Sequence, residues 1–539
     1  MNSDNGSSPP LHAFDPTPLL LAPKLTSSEV ARLLAPFGFR DIPRADANLQ
    51  SMAGDPTSRR LLAGLLKDLL HAVAQTADPD QALNEWERYL GSGVNRTQLL
   101  GYLAQAPRVL QLVCTVFGNS PAMAQTLHRD PMLIYWVGEE QIWNRRSSPV
   151  QLRRALAQLL ETFSTTELKC EALRRFHRRE LLRIGVRDLL RIADVPETAA
   201  ALSDLASVVI HAAYEIVRSD MIREFGIPMH YEPRAGWMET EFAVLGMGKL
   251  GGKELNYSSD VDLIYVYTTT KGATQGQRQT VSNEMFFNCL ARRLTQVLSA
   301  ATPEGMLYRV DLRLRPEGST GALACALPDL VRYYRTRGRP WERLVFLKAR
   351  PIAGSRKIGH SVVRRVRPFV VGGKEMGNET LLQAVRSLKQ QIYVKMLRRG
   401  ELERNVKLGP GGIRDIEFLV QTLQLFHGHQ APGILERNTL RALTRLEAYG
   451  VLPAYKARRL ARAYCFLRDV EHKLQMVHEM QTHVLPRTTD ELAKCARRLG
   501  YRDASDEIAV SRFLTEYKDW TAYVRQEVET FLQHEGRGC

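Results

Sequence analysis

Gly246-Met247-Gly248-Lys249-Leu250-Gly251-Gly252-Lys253-Glu254-Leu255-Asn256-Tyr257-Ser258-Ser259-Asp260-Val261-Asp262-Leu263-Ile264 carries more structural information than any other run in this chain. It follows Thr240 to Leu245 (TEFAVL) and leads into Val261 to Tyr267 (VDLIYVY), two short β-branched and aromatic runs, so the order is strand, glycine turn, strand. The turn formally contains G-x-G-x-x-G, yet only eight residues separate Gly251 from Asp260. A dinucleotide fold needs a crossover of at least about 10 to 12 residues there, so the Rossmann reading fails on length. A P-loop fails on chemistry: Gly252-Lys253 has Met247 and Glu254 where Gly and Ser or Thr are required, and Gly248-Lys249 has Ala243 and Leu250. What survives is a glycine-lined turn in which Gly248, Lys249, Gly251 and Gly252, with Ser259 after them, are candidates for holding a phosphate or triphosphate, with an unliganded tight turn as the alternative.

Ser259-Asp260-Val261-Asp262 adds the metal chemistry. Residues two apart in a strand share a face, so Asp260 and Asp262 set two carboxylates roughly 6 to 7 Å apart at Cα, with Val261 and Leu263 packed behind. Hard oxygen pairs of this kind suit Mg²⁺, which keeps waters and takes phosphate oxygens as its remaining ligands. A third acid stands in Tyr308-Arg309-Val310-Asp311-Leu312-Arg313-Leu314-Arg315-Pro316-Glu317-Gly318, where strand parity puts Asp311, Arg313 and Arg315 on one face. If the strand of Asp311 lies beside that of Asp260 and Asp262, three carboxylates form one nucleotidyl-transfer centre, with the two arginines as phosphate clamps.

Around this core the chain is expected to be α+β: an α/β domain over 236–350, an N-terminal helical region over 25–235, a C-terminal helical bundle over 351–539 and a flexible leader over 1–24. Helical spacing is plain in Leu61-Leu62-Leu65-Leu66-Leu69-Leu70 and again from 378 onward, broken by Gly409-Pro410-Gly411-Gly412. The length of 539 residues, 44% hydrophobic and 24% charged, fits roughly three or four compact units and excludes disordered and fibrous classes. Lys and Arg number 74 against 58 Asp and Glu, a formal charge of +16 that favours phosphate-bearing or polyanionic partners. Seven scattered cysteines without a C-x-x-C pair point to a reducing cytosol. Asp4 stands where a signal peptide would need basic residues, and no apolar run approaches the ~18 residues of a membrane span, so a soluble cytoplasmic protein is expected.

GMGKLGGKELNYSSDVDLIYVY (Gly246 to Tyr267) followed by YRVDLRLRPEG (Tyr308 to Gly318) resembles the polymerase-β-type nucleotidyltransferase domain of the glutamine synthetase adenylyltransferase/adenylyl-removing family. Further agreement lies in Leu173 to Arg183, Arg187 to Leu189, Trp341 to Glu342, Lys348 to Arg350, Val406 to Glu417 and Gln481 to Pro486. Members carry two such units in tandem, whereas the glycine turn and S-D-x-D occur once here, and LNYSSDVD with GPGGIRDIE is similar to the first, adenylyl-removing unit. The resemblance implies removal of AMP from a tyrosine of glutamine synthetase by phosphorolysis, which releases ADP. It also implies ATP use by the wider family, and glutamine and a PII-type signal protein as effectors.

Other readings stay open at this level. They are ATP-dependent adenylylation by this unit, a nucleic-acid end-adding transferase that the charge of +16 would suit, and a non-enzymatic helical docking module. The helix bearing Arg174, Arg175, Arg178, Arg179, Arg183 and Arg187 is expected to be a solvated or internally paired face rather than an anion dock. Asp415, just after the glycine break, is a candidate supporting or site-closing group.

Overall fold

In the computed structural model, residues 15–276, 279–372, 378–477, 480–503 and 505–534 are described. The N-terminal helices begin where short polar residues precede proline. Asp55 caps Pro56–Ala74, Asp78 caps Pro79–Gly91 and Ser120 caps Pro121–Arg129, each side chain accepting from backbone N–H groups of the first turn. Their apolar faces close a core that runs from Leu19 and Leu20 to Val137, so residues 15–24 pack as a short helical segment rather than a free leader; the rest of that leader lies outside the described residues.

Strands β1 (Ile227–Glu232), β2 (Gly236–Glu239), β3 (Phe242–Gly246), β4 (Val261–Tyr267), β5 (Ala273–Gln275), β6 (Val310–Asp311), β7 (Ala324–Ala326) and β8 (Arg350–Gly354) form two sheets. The smaller has the order β2-β1-β5; the larger has the order β6-β4-β3-β8, with β7 also on β4. β3 runs antiparallel to β4 and β8, while β6 and β7 pair with β4 in parallel. The α/β unit is therefore wider at both ends than 236–350, because β1 starts at Ile227 and β8, needed to cover β3, ends at Gly354.

Alternation along β4 explains how the sheet is covered on both sides. Val261, Leu263, Tyr265 and Tyr267 join one core with the helices Val195–Phe225 and Asn283–Ser299, while Ile264 and Val266 join another with Val362, Val366 and Phe418. Val195–Phe225 is long and apolar enough to cross a membrane by composition, contrary to the expectation from the sequence, but 67% of its most apolar window is buried inside the protein. Its apolarity serves two packed layers at once.

Charged groups pin the units together. Lys348 Nζ lies 2.6 Å from Glu254 and 3.2 Å from Glu417, and Lys249 Nζ lies 3.0 Å from Glu471 on the helix Ala454–Gln475. Lys473 meets Asp188 at 2.7 Å, and Asp188 also accepts from Tyr257 Oη at 2.9 Å. The basic helix Thr166–Leu189 is internally paired as expected: Arg175 and Arg178 hold Glu304, Arg183 holds Glu180, and Arg187 holds Glu197. The six described cysteines are all free.

Because Lys348 is buried between two carboxylates, Lys348→Met should cost about 3 to 5 kcal/mol, the price of stranding buried charge, read as a lowered midpoint in urea unfolding. Glu417 is held well below the ordinary carboxylate value of 4.5; burial opposes this, and Lys348 and Arg414 overcome it. Its ion pair thus adds stability that is present above that value and fades as pH falls beneath it, and Glu417→Gln should flatten this acid limb in pH-dependent unfolding.

Candidate active site

The strand of Asp311 does lie beside that of Asp262. β6 lies beside β4 in parallel register, Val261 opposite Val310 and Asp262 opposite Asp311, so two carboxylates face each other across one strand spacing of about 4.8 Å. Asp260 stands just before β4 on the same side. Arg309 fixes the entry to both strands: its backbone carbonyl accepts from Val261 N–H at 2.9 Å, and its Nε meets Asp260 Oδ1 at 2.7 Å. Its Nη2 donates to the carbonyl and hydroxyl of Ser258, both at 3.1 Å.

The three acids sit in different fields. Burial raises Asp262 to about 6, with Asp311 and Asp260 adding to the rise and Lys407 and Arg414 opposing it. Burial also acts on Asp311, but hydrogen bonds from the Arg313 side chain and backbone outweigh it and hold the carboxyl below its usual range. The Asp262 carboxylate lies against Gly248, where φ is +49° and an added Cβ would stand 2.7 Å from Oδ2. Gly248 is thus glycine for two reasons, a left-handed backbone and a carboxylate overhead.

Other candidates from the sequence are placed differently. Gly251 and Gly252 are buried, packed on the backbone of Lys348 and of Arg437, so they permit close chain approach rather than offering open amides. Lys249 is taken by Glu471, and burial brings its ammonium down to about 7 against the pull of that carboxylate. Ser259 Oγ accepts from Asn256 N–H at 3.2 Å and shapes the turn. The shared strand face of Asp311, Arg313 and Arg315 does not form, because β6 ends at Asp311. Arg313 folds back onto Asp311, and Arg315 donates to the carbonyls of Leu312, Ser319, Gly321 and Ala322, which shapes the following loop. Asp415 accepts from Gly411 N–H at 2.9 Å and pairs with Lys389 at 2.8 Å, so it closes the glycine turn.

Among the described residues, no three Asp, Glu, His or Cys side chains converge as a ready metal cage. Arg309 and Arg313 hold two of the three acids. The donor set nevertheless has the chemistry Mg²⁺ prefers, carboxylate oxygens with one or two of them sufficient, and Asp262 faces two like charges that a cation would offset.

The family model described as glutamate-ammonia ligase adenylyltransferase (GlnE) matches residues 110–365, which contain the glycine turn and all three acids. A second, GlnD PII-uridylyltransferase, matches residues 386–532. Bifunctional glutamine synthetase adenylyltransferase/adenylyl-removing enzymes are similar along most of the chain. The one from Nitrosococcus oceani is 39% identical over 74% of this chain and 40% of its own length. The one from Streptomyces avermitilis is 34% identical over 90% and 45%. The chain belongs to this family.

It spans less than half the length of these relatives. Within this family member, the site also draws on residues that the sequence reading missed. Arg309 shares strand parity with Asp311 and could have been found by the same argument. Gln481, whose Nε2 donates to Asp260 Oδ2 at 3.3 Å, and Lys407 come from segments far along the chain that carry the family resemblance, where nothing local ties them to the acids.

Gly248→Ala tests the packing of the turn on Asp262. The added methyl should cost about 1 kcal/mol in backbone strain while displacing the carboxylate, so Mg²⁺-dependent turnover should fall on the order of tenfold or more with only a small change in thermal midpoint. Unchanged turnover would remove Asp262 from the centre.

Proposed function

We propose that this chain removes AMP from an adenylylated tyrosine of glutamine synthetase by phosphorolysis, releasing ADP. The observation that carries it is the in-register pair Asp262 and Asp311 beside Asp260, next to a glycine turn. The α/β unit is read as a polymerase-β-type nucleotidyltransferase domain, and the likeness of LNYSSDVD and GPGGIRDIE to the first of the family's two units favours removal over addition. Glutamine and a PII-type signal protein are the proposed effectors and the cytoplasm the proposed compartment. The pairing of the Thr166–Leu189 arginines within the protein leaves that helix without a free cationic face, which disfavours the nucleic-acid reading.

Asp260, Asp262 and Asp311 would hold Mg²⁺, which when bound neutralises phosphate charge. Arg309 keeps Asp260 aimed at the strand pair, and Gln481 holds its other oxygen. Arg313, mostly exposed on Asp311, meets incoming phosphate at the mouth. A phosphate oxygen forms the new bond to the AMP phosphorus, the bond to the tyrosine oxygen breaks, and the phenolate leaves and takes up a proton. Phosphate is already ionised at neutral pH, so no strong general base is needed.

The test is incubation of the chain with adenylylated glutamine synthetase, phosphate and Mg²⁺. ADP should appear, and Asp262→Asn should lower its rate by about three orders of magnitude, the scale of losing a charge that organises the centre. Pyrophosphate release from ATP with unmodified synthetase, in place of ADP formation, would assign the opposite reaction.

A further inference from the structure

Every nearby cation but one is already committed. Lys249 is held by Glu471, Lys253 by Asp204, Lys348 by Glu254 and Glu417, Arg309 by Asp260 and Arg313 by Asp311. Arg350 donates to the carbonyls of Leu250 and Gly251, and Arg437 to that of Ala349. Among the described residues, Lys407 alone in this group makes no ion pair or side-chain hydrogen bond.

Its loop is firmly placed. Val406 N–H donates to His483 O at 2.8 Å, Ile413 N–H to Val406 O at 3.0 Å, and Arg414 N–H to Lys407 O at 3.0 Å. Asn405 Oδ1 accepts from the N–H groups of Lys407 and Leu408 at 3.2 and 2.8 Å. His483 Nδ1 lies 2.9 Å from Glu471, the carboxylate that holds Lys249 of the glycine turn, and Gln481 of the same segment reaches Asp260. The 405–414 loop is therefore stitched to the segment that touches both halves of the centre. The Lys407 charge is felt at Asp262 and Glu417, two acids it does not pair with.

We propose that Lys407, with Arg414 at the start of the following helix Ile413–His427, forms the phosphate-binding site of this centre, beside the 481–483 segment that reaches Asp260. The C-terminal bundle thus completes the active site, and the phosphate it holds is the nucleophile of the phosphorolytic reading, on which the inference rests. An ammonium with three donors and no fixed partner suits a phosphate oxyanion as a point charge. Arg414 lies over the Phe418 ring at 4.9 Å and 3.7 Å from Glu417, so its guanidinium is oriented while half-exposed.

The full chain with adenylylated glutamine synthetase and Mg²⁺ tests this in Lys407→Gln and Lys407→Arg. In Lys407→Gln the KM for phosphate should rise on the order of tenfold or more, with the KM for the adenylylated protein unchanged and the thermal midpoint retained; Lys407→Arg should restore most of the loss. Calorimetric titration with ADP gives a readout independent of turnover, and Lys407→Gln should weaken ADP binding by a similar factor. An unchanged phosphate KM together with unchanged ADP affinity overturns the assignment, as does a fall in kcat alone. If the native chain releases no ADP from the modified synthetase, the phosphorolytic reading fails, while weaker ADP binding in Lys407→Gln still supports the phosphate site.

Discussion

Lys348 between Glu254 and Glu417 is the interaction on which the arrangement of the centre depends. Glu254 ends the glycine turn, Lys348 precedes β8, and Glu417 lies in the first turns of the helix Ile413–His427, so one buried ammonium joins the sheet to the C-terminal bundle. Its neighbours complete the connection. Glu254 Oε1 accepts from Thr439 N–H, and its backbone carbonyl accepts from Arg468. Buried charge is expensive unless fully paired, so these contacts fix one relative position of turn and bundle instead of several.

That fixed position gives the acids their character. Asp260 and Asp311 each have an arginine partner, whereas Asp262, half-buried between them and pressed on Gly248, has a raised proton affinity. Three carboxylates two residues or one strand apart repel one another in the absence of cations. The protein offsets the repulsion at the outer two with Arg309 and Arg313, leaving the innermost as the place where positive charge is most favourable.

The excess of basic residues has a similar explanation. Much of the charge of +16 is organised inward: the arginines of Thr166–Leu189 hold Glu304, Glu180 and Glu197, and Lys473 holds Asp188. These pairs join the N-terminal helices to the segment after the glycine turn, since Asp188 also accepts from Tyr257 just before Asp260. Net charge by itself described neither a partner nor a surface here.

The sequence alone determined β4, the helix after Ser282 and the common face of Asp260 and Asp262, because strand pleat and helix period are local and every turn of them is written in neighbouring residues. It left Arg174 to Arg187 as a solvated or internally paired face, and the structure decided for pairing and chose the acids. Strand parity failed at Arg313 and Arg315 because β6 stops after two residues, and a face exists only while the strand lasts. Only the tertiary structure decided that Asp311 lies opposite Asp262, that Lys249, Gly251 and Gly252 are committed to internal contacts, and that Gln481 and the loop of Lys407 reach the centre from the C-terminal bundle. Those outcomes depend on which strands and charges meet across long stretches of chain, and long-range pairing leaves no periodic mark in the sequence.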